Sequence, residues 1–146
     1  MKLIMLGCGT STGVPRIGEL AGGDQLQHVA VAPKNRRSRV SIIVESAEGR
    51  RILVDTSPDL RAQMLANRID RIDAVFWTHD HADHVHGIDD LRPMRYGRGG
   101  PIPGYASDET VRRLRQRISY VFAGERGYPS IVDIETREKL RLCAGF

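Results

Sequence analysis

The stretch "AVFWTHDHADHVHG", residues 74–87, decides how this chain is read. Four of its five histidines (His79, His81, His84 and His86) fall within eight consecutive positions. They follow the apolar run "DAVFW" (73–77), which reads as a buried strand. In extended backbone, alternate side chains point the same way, so His79 and His81 face one point while Asp80 faces away. Asp83 and His84 lie just beyond, within reach of a second, neighbouring point. Imidazole and carboxylate together suit zinc, and also manganese or iron. With this composition, His-x-His-x-Asp-His is expected by chance in only about 4 × 10⁻⁴ of such chains. A solvated, histidine-rich loop is the bland alternative.

Outward from this turn, the pattern is mixed. "KLIML" (2–6) reads as a first strand and "GCGTSTGVP" (7–15) as a glycine-punctuated loop. That loop nearly spells a dinucleotide fingerprint, but its third glycine is one place late. Pro15 also stands where a phosphate-binding helix would run, so a Rossmann reading is rejected. "VSIIVE" (40–45) and "RILVD" (51–55) form a hairpin with Gly49 in the turn. The unbroken run Ile52–Leu53–Val54 predicts a strand covered on both faces. "TSPDLRAQMLANR" (56–68) carries helix-start chemistry in Ser57, Pro58 and Asp59. "GIDDLRPM" (87–94) predicts one helical turn stopped by Pro93, and "PIPGYA" (101–106) a short strand. "SDETVRRLRQRI" (107–118) predicts an amphipathic helix capped by Ser107, with Val111, Leu114 and Ile118 as its stripe. "SIVDI" (130–134) closes the series. A hairpin followed by alternating helices and strands implies an α/β sandwich.

Composition sets the frame. The 146 residues suffice for one modest domain, and 40% hydrophobic content is ordinary for a soluble one. The N-terminus offers only a five-residue apolar run, too short for a signal peptide or a membrane helix, so the default location is cytoplasmic. Cys8 and Cys143 are too few for a disulfide scaffold and read as reduced thiols. The formal charge of +4 comes mainly from arginines at 35–39 and 111–117 and suits an anionic substrate. Aromatic residues make up 5% and do not interleave with these arginines, which weighs against a nucleic-acid stacking surface.

HxHxDH after a buried strand resembles the signature of the metallo-β-lactamase superfamily, and Gly87 matches its HxHxDHxxG extension. "ILVDTSPDLR" (52–61) resembles the strand and aspartate loop that precede it. "GCGTSTGVPRIG", "NRRSRVSIIVE" and "HADHVHGIDDLR" together resemble the phosphoribosyl cyclic phosphodiesterase-like branch, relatives of the tRNA 3′-end processing nucleases. The resemblance implies an αββα sandwich holding two divalent ions, zinc by preference. It implies His79 and His81 as ligands of one ion and Asp83 and His84 as ligands of the other, with Asp83 also a catalytic residue. Asp55 would brace the metal loop without ligating, although a helix-cap partnership with Ser57 is an equal reading of it. His86 reads either as a residue that orients a ligand or substrate from behind the metal site or, at least equally, as a surface histidine, and His28 is given no role.

The implied chemistry is attack on phosphorus by a hydroxide shared between the ions, with Arg37, Arg39 and Arg92 as candidates to clamp the phosphate. The substrate expected is a small cyclic or nucleotide-like phosphodiester. Two departures matter. Residues 19–35 contain no cysteine, so no cysteine-built zinc site is expected in the early loop. No histidine follows His86, whereas the family needs a further His, a bridging Asp and a final His. The expectation is therefore a partial domain over 1–146, the N-terminal half of a two-half sandwich, with two protein ligands for each ion. The alternatives are another hydrolase of the superfamily, a ribonuclease or a thioesterase, and an inactive half-domain that pairs with a second copy.

Overall fold

The computed structural model describes residues 1–18, 32–125 and 127–136. His28, Cys143 and most of the early loop lie outside the described residues. The described strands form a six-stranded sheet in chain order: β1 (Lys2–Gly7), β2 (Ser41–Glu45), β3 (Arg51–Val54), β4 (Ala74–Phe76), β5 (Ile102–Ala106) and β6 (Val132–Thr136). The first two pairings are antiparallel and the last three parallel. The β2–β3 hairpin turns at Gly49, whose φ of 80° favours glycine.

Helices fill the crossovers. α1 (Leu60–Ala66) joins β3 to β4. A short α2 (Ala82–Val85), a 3₁₀ turn (Ile88–Leu91) and α3 (Arg92–Arg98) join β4 to β5. α4 (Asp108–Arg117) and α5 (Ser119–Ala123) join β5 to β6. Each parallel strand is added on the same side of the one before. Right-handed crossovers therefore place every connecting helix on one face of the sheet.

That face is the core. Ile43, Leu53, Val75, Ile102, Val132 and Ile134 are buried on it under Leu60, Leu91, Leu114 and Val121. Burying one such side chain contributes about 1.5–3 kcal/mol. Trp77, fully buried, lies over Gly104, where an added Cβ would come within 2.8 Å of its ring.

The opposite face is only half covered. Leu3, Val44 and Ile52 pair across it in one row, and Met5, Ile42, Val54 and Phe76 in another. Leu3 and Met5 remain 59% and 55% exposed. The expectation that Ile52–Val54 is buried on both sides is thus corrected. Of the three, Leu53 alone is fully enclosed, because the described crossover helices lie on its side.

Three further expectations shift. Helix α1 starts at Leu60 rather than at Pro58 behind a Ser57 cap: Thr56 is drawn into hydrogen bonds with the histidine loop, and Ser57 is taken up in a turn, its Oγ accepting from Asp59 N and its carbonyl from Leu60 N. Pro93 does not stop a helix but sits in the first turn of α3, where its missing N–H costs nothing. Residues 119–123 form a helix that the sequence pattern did not flag. Ser107 caps α4 as expected, its hydroxyl accepting from Thr110 N at 3.3 Å.

Candidate metal centre

The histidine loop leaves the sheet at the end of β4, and a second loop, Asp55–Ser57 after β3, lies beside it. The two are sewn together through backbone. Thr56 N donates to His84 O at 2.8 Å, and Gly87 N donates to Thr56 O at 3.0 Å. Trp77 Nε1 donates to Thr56 Oγ1 at 2.9 Å. Gly87 is required by contact: a Cβ there would fall 2.0 Å from Ser57 O.

Asp55 is the hub. It is buried and adopts a left-handed φ of 62°, a conformation that aspartate tolerates better than most residues. Its Oδ1 accepts from Thr78 N at 2.8 Å. Its Oδ2 takes Thr78 Oγ1 at 2.8 Å and His84 Nδ1 at 2.7 Å. A carboxylate only accepts, so His84 donates from Nδ1, and the neutral ring then presents a bare Nε2. The Thr78 hydroxyl spends its proton on Asp55, so at 2.9 Å it accepts from His79 Nδ1. In the neutral ring His79 Nε2 is then bare as well. One carboxylate thus sets two imidazoles, the first directly and the second through Thr78.

The rings gather. His79 lies 4.6 Å from His81 and 4.0 Å from His84, centroid to centroid. Asp83 Oδ2 is 3.2 Å from His84 Nε2. Two donors each about 2.0–2.2 Å from one shared zinc ion stand about 3–3.4 Å apart, so this pair fits a common divalent ion. Among the described residues no three His, Cys, Asp or Glu side chains converge as a finished cage. Asp83 Oδ2 and His84 Nε2 form one such donor pair. The donor chemistry fits the implied group, and His79, His81, Asp83 and His84 are the residues that would hold it.

The other candidates are placed as follows. His86 is exposed and stands outside the ring cluster, its Nε2 3.4 Å from Arg117 Nη2. Arg39 lies close enough to Asp83 to feel its charge, but its guanidinium forks Asp59, Nε to Oδ2 at 3.0 Å and Nη2 to Oδ1 at 2.6 Å. That fork, against partial desolvation, holds the Asp59 carboxyl below its ordinary range. Arg37 folds back on the carbonyls of Lys34 and Arg36. Arg92 binds Asp89 at 3.0 Å and covers the Tyr128 ring. Asp89 also accepts from the Tyr120 hydroxyl, which pushes that phenol up to about 12. Each of the three arginines therefore already has a partner within the chain. Sequence reasoning missed Arg113 and Arg117, which reach the loop from α4 and bind Asp80. Two arginines four apart on one helix face were the available signal.

Residues 50–146 match the β-lactamase superfamily domain. This chain belongs to the metallo-β-lactamase superfamily. It is 39% identical, with a TM-score of 0.75, to the crystal structure of a diphosphatase from the PhnP family, covering 92% of this chain and 49% of that one. Zinc-bound PqqB from Methylobacterium extorquens is 26% identical with a TM-score of 0.67, over 93% of this chain and 46% of that one. A ribonuclease Z from Bradyrhizobium is 39% identical over 74% of this chain and 30% of that protein. An octanoyltransferase from Porphyromonas gingivalis is 41% identical over 84% of this chain but only 24% of that protein. The chain thus spans a quarter to a third of these curated relatives and about half of the matched structures. The six-stranded sheet with helices matches the metallo-β-lactamase fold, as the histidine motif implied. Among the described residues no helix is long and apolar enough to cross a membrane.

Proposed function

We propose that the chain supplies one side of the active site of a metal-dependent hydrolase acting on a cyclic or nucleotide-like phosphodiester. The observation that carries this reading is the Asp55 hub, which turns the Nε2 atoms of His79 and His84 toward ligation and leaves Asp83 facing the latter. A solvated histidine loop has no use for a buried carboxylate committed to two imidazoles. The similarity to a diphosphatase favours phosphate esters, and the zinc in PqqB favours zinc. Bound divalent ions would activate water for attack on phosphorus and stabilise the leaving oxygen. This chain's part is to orient the imidazoles and, through Asp83, to contribute anionic charge to their site. The octanoyltransferase shares too small a part of its length to carry acyl transfer here.

The test is a side-by-side assay of bis-p-nitrophenyl phosphate, a cyclic nucleotide, a nucleoside diphosphate and a thioester, with zinc or manganese added. Phosphodiester turnover that a chelator abolishes is expected. Thioester turnover without phosphodiester turnover would refute the choice. A second reading has one observation in its favour: among the described residues no three ligand side chains converge. In it the chain holds metal weakly and associates with a second copy, which light scattering with metal analysis would reveal as a zinc-poor dimer.

A further inference from the structure

Asp80 stands between the two candidate ligands His79 and His81, yet faces away from them into α4. Its side chain is only 14% exposed. Arg117 Nη1 binds its Oδ2 at 3.1 Å and also donates to its backbone carbonyl. Arg113 Nη1 approaches Oδ1 at 3.4 Å and is itself held by Glu109 at 2.5 Å. The other nitrogen of Arg117, Nη2, lies 3.4 Å from His86 Nε2. One guanidinium therefore touches residues 80 and 86, which bracket His81, Asp83 and His84. Its base is firm, since α4 is capped by Ser107 and buries Val111 and Leu114 in the core.

We propose that Arg117, seconded by Arg113, is a positioning residue for the metal centre and acts through Asp80. The inference rests on the metal reading above. In extended backbone, the orientation of residue 80 fixes the direction in which residues 79 and 81 point. His81 is extended, with φ −67° and ψ 151°. Pinning the Asp80 carboxylate and carbonyl together thus fixes both neighbouring imidazoles from behind. Asp55 sets which nitrogen each of its imidazoles presents, and Arg117 sets where the backbone aims them. The planar guanidinium reaches Asp80 through Nη1 and His86 through Nη2 at once, a span that a lysine's single ammonium does not have.

Zinc affinity of the whole 146-residue chain, read by competition with a chromophoric chelator, tests this. Outer partners of metal ligands typically govern affinity by 10–100-fold. Because the Arg117 side chain is 43% exposed, Arg117→Ala is expected near the lower end, about tenfold weaker. Arg113→Ala, at longer range, should cost less. Arg117→Lys should fall between wild type and Arg117→Ala. Asp80→Asn combined with Arg117→Ala should be little worse than either alone, since both break one linkage. Hydrogen exchange of the metal-free chain should quicken over residues 78–84 and stay unchanged in β2 and β3. A folded Arg117→Ala or Arg117→Lys that binds zinc as tightly as wild type overturns the proposal. If wild type itself takes up no zinc, the metal reading fails and this one falls with it. If wild type binds and the variants match it, only the positioning role falls.

Discussion

Replacing Asp55 with asparagine tests the hub at almost constant volume. The left-handed φ of 62° does not confuse the result, because asparagine tolerates that conformation as well as aspartate. What changes is the count of acceptors. The amide oxygen can still take Thr78 N, but the amide nitrogen donates and now faces Thr78 Oγ1 and His84 Nδ1. Thr78 can turn its hydroxyl toward His79 Nδ1, 2.9 Å away. His84 can move its proton to Nε2 and accept from the new amide. Without that move, a buried charge-assisted bond is lost at a cost of about 1.5–3 kcal/mol. With it, the stability loss shrinks but Nε2 carries a proton and is no longer a ligand. The expected result is a fall in urea-unfolding stability of at most about 3 kcal/mol and a 10–100-fold loss of zinc affinity. A typical domain has about 5–15 kcal/mol in total, so the variant should still fold. An Asp55→Asn chain that keeps wild-type zinc affinity, with stability unchanged to about 0.5 kcal/mol, would refute the hub argument.

Other outcomes follow from neighbouring contacts. Gly87→Ala places a Cβ 2.0 Å from Ser57 O and should part the two loops, giving aggregated protein or a thermal midpoint lowered by many degrees. Trp77→Phe loses the bond to Thr56 Oγ1 and leaves a gap over Gly104, which should cost about 1–3 kcal/mol in denaturant unfolding. Asp59→Asn should be less stable than wild type by about 1–2 kcal/mol at neutral pH. The Asp59 carboxyl is depressed in the fold, so its contribution is complete above the unfolded value near 4 and is lost as pH falls through the lower folded value. The gap between variant and wild type should therefore close in acid, as unfolding curves at stepped pH would show.

The parts of the fold that follow a simple period were legible in the sequence. The hairpin, β4, β5 and the capped helix α4 all stand close to where alternation, turn residues and Ser107 placed them. The ring cluster was legible as well, since two-residue spacing in extended backbone needs no tertiary knowledge. What escaped was decided by contacts distant in sequence. Thr56 and Ser57 look like helix-start residues, but the backbone of Thr56 is taken by His84 and Gly87, 28 and 31 positions later, and the helix begins only at Leu60. Arg39 looked like a free cation because its partner Asp59 lies 20 positions away; the Arg92–Asp89 pair, three positions apart, and the folding of Arg37 onto the carbonyls of Lys34 and Arg36 are local contacts that the sequence reading passed over. Arg117 was hidden for the converse reason: its target lies 37 positions upstream.

Because the described crossovers land on one side, the sheet is padded on one face and greasy on the other. Leu3, Met5 and their row partners on that greasy face will govern handling before any catalysis is measured. The isolated chain should bind an apolar dye, stick to hydrophobic resins and become less soluble as salt is raised. Polar substitutions at Leu3 and Met5, on the outermost strand and far in sequence from the histidine loop, are the direct way to a well-behaved sample.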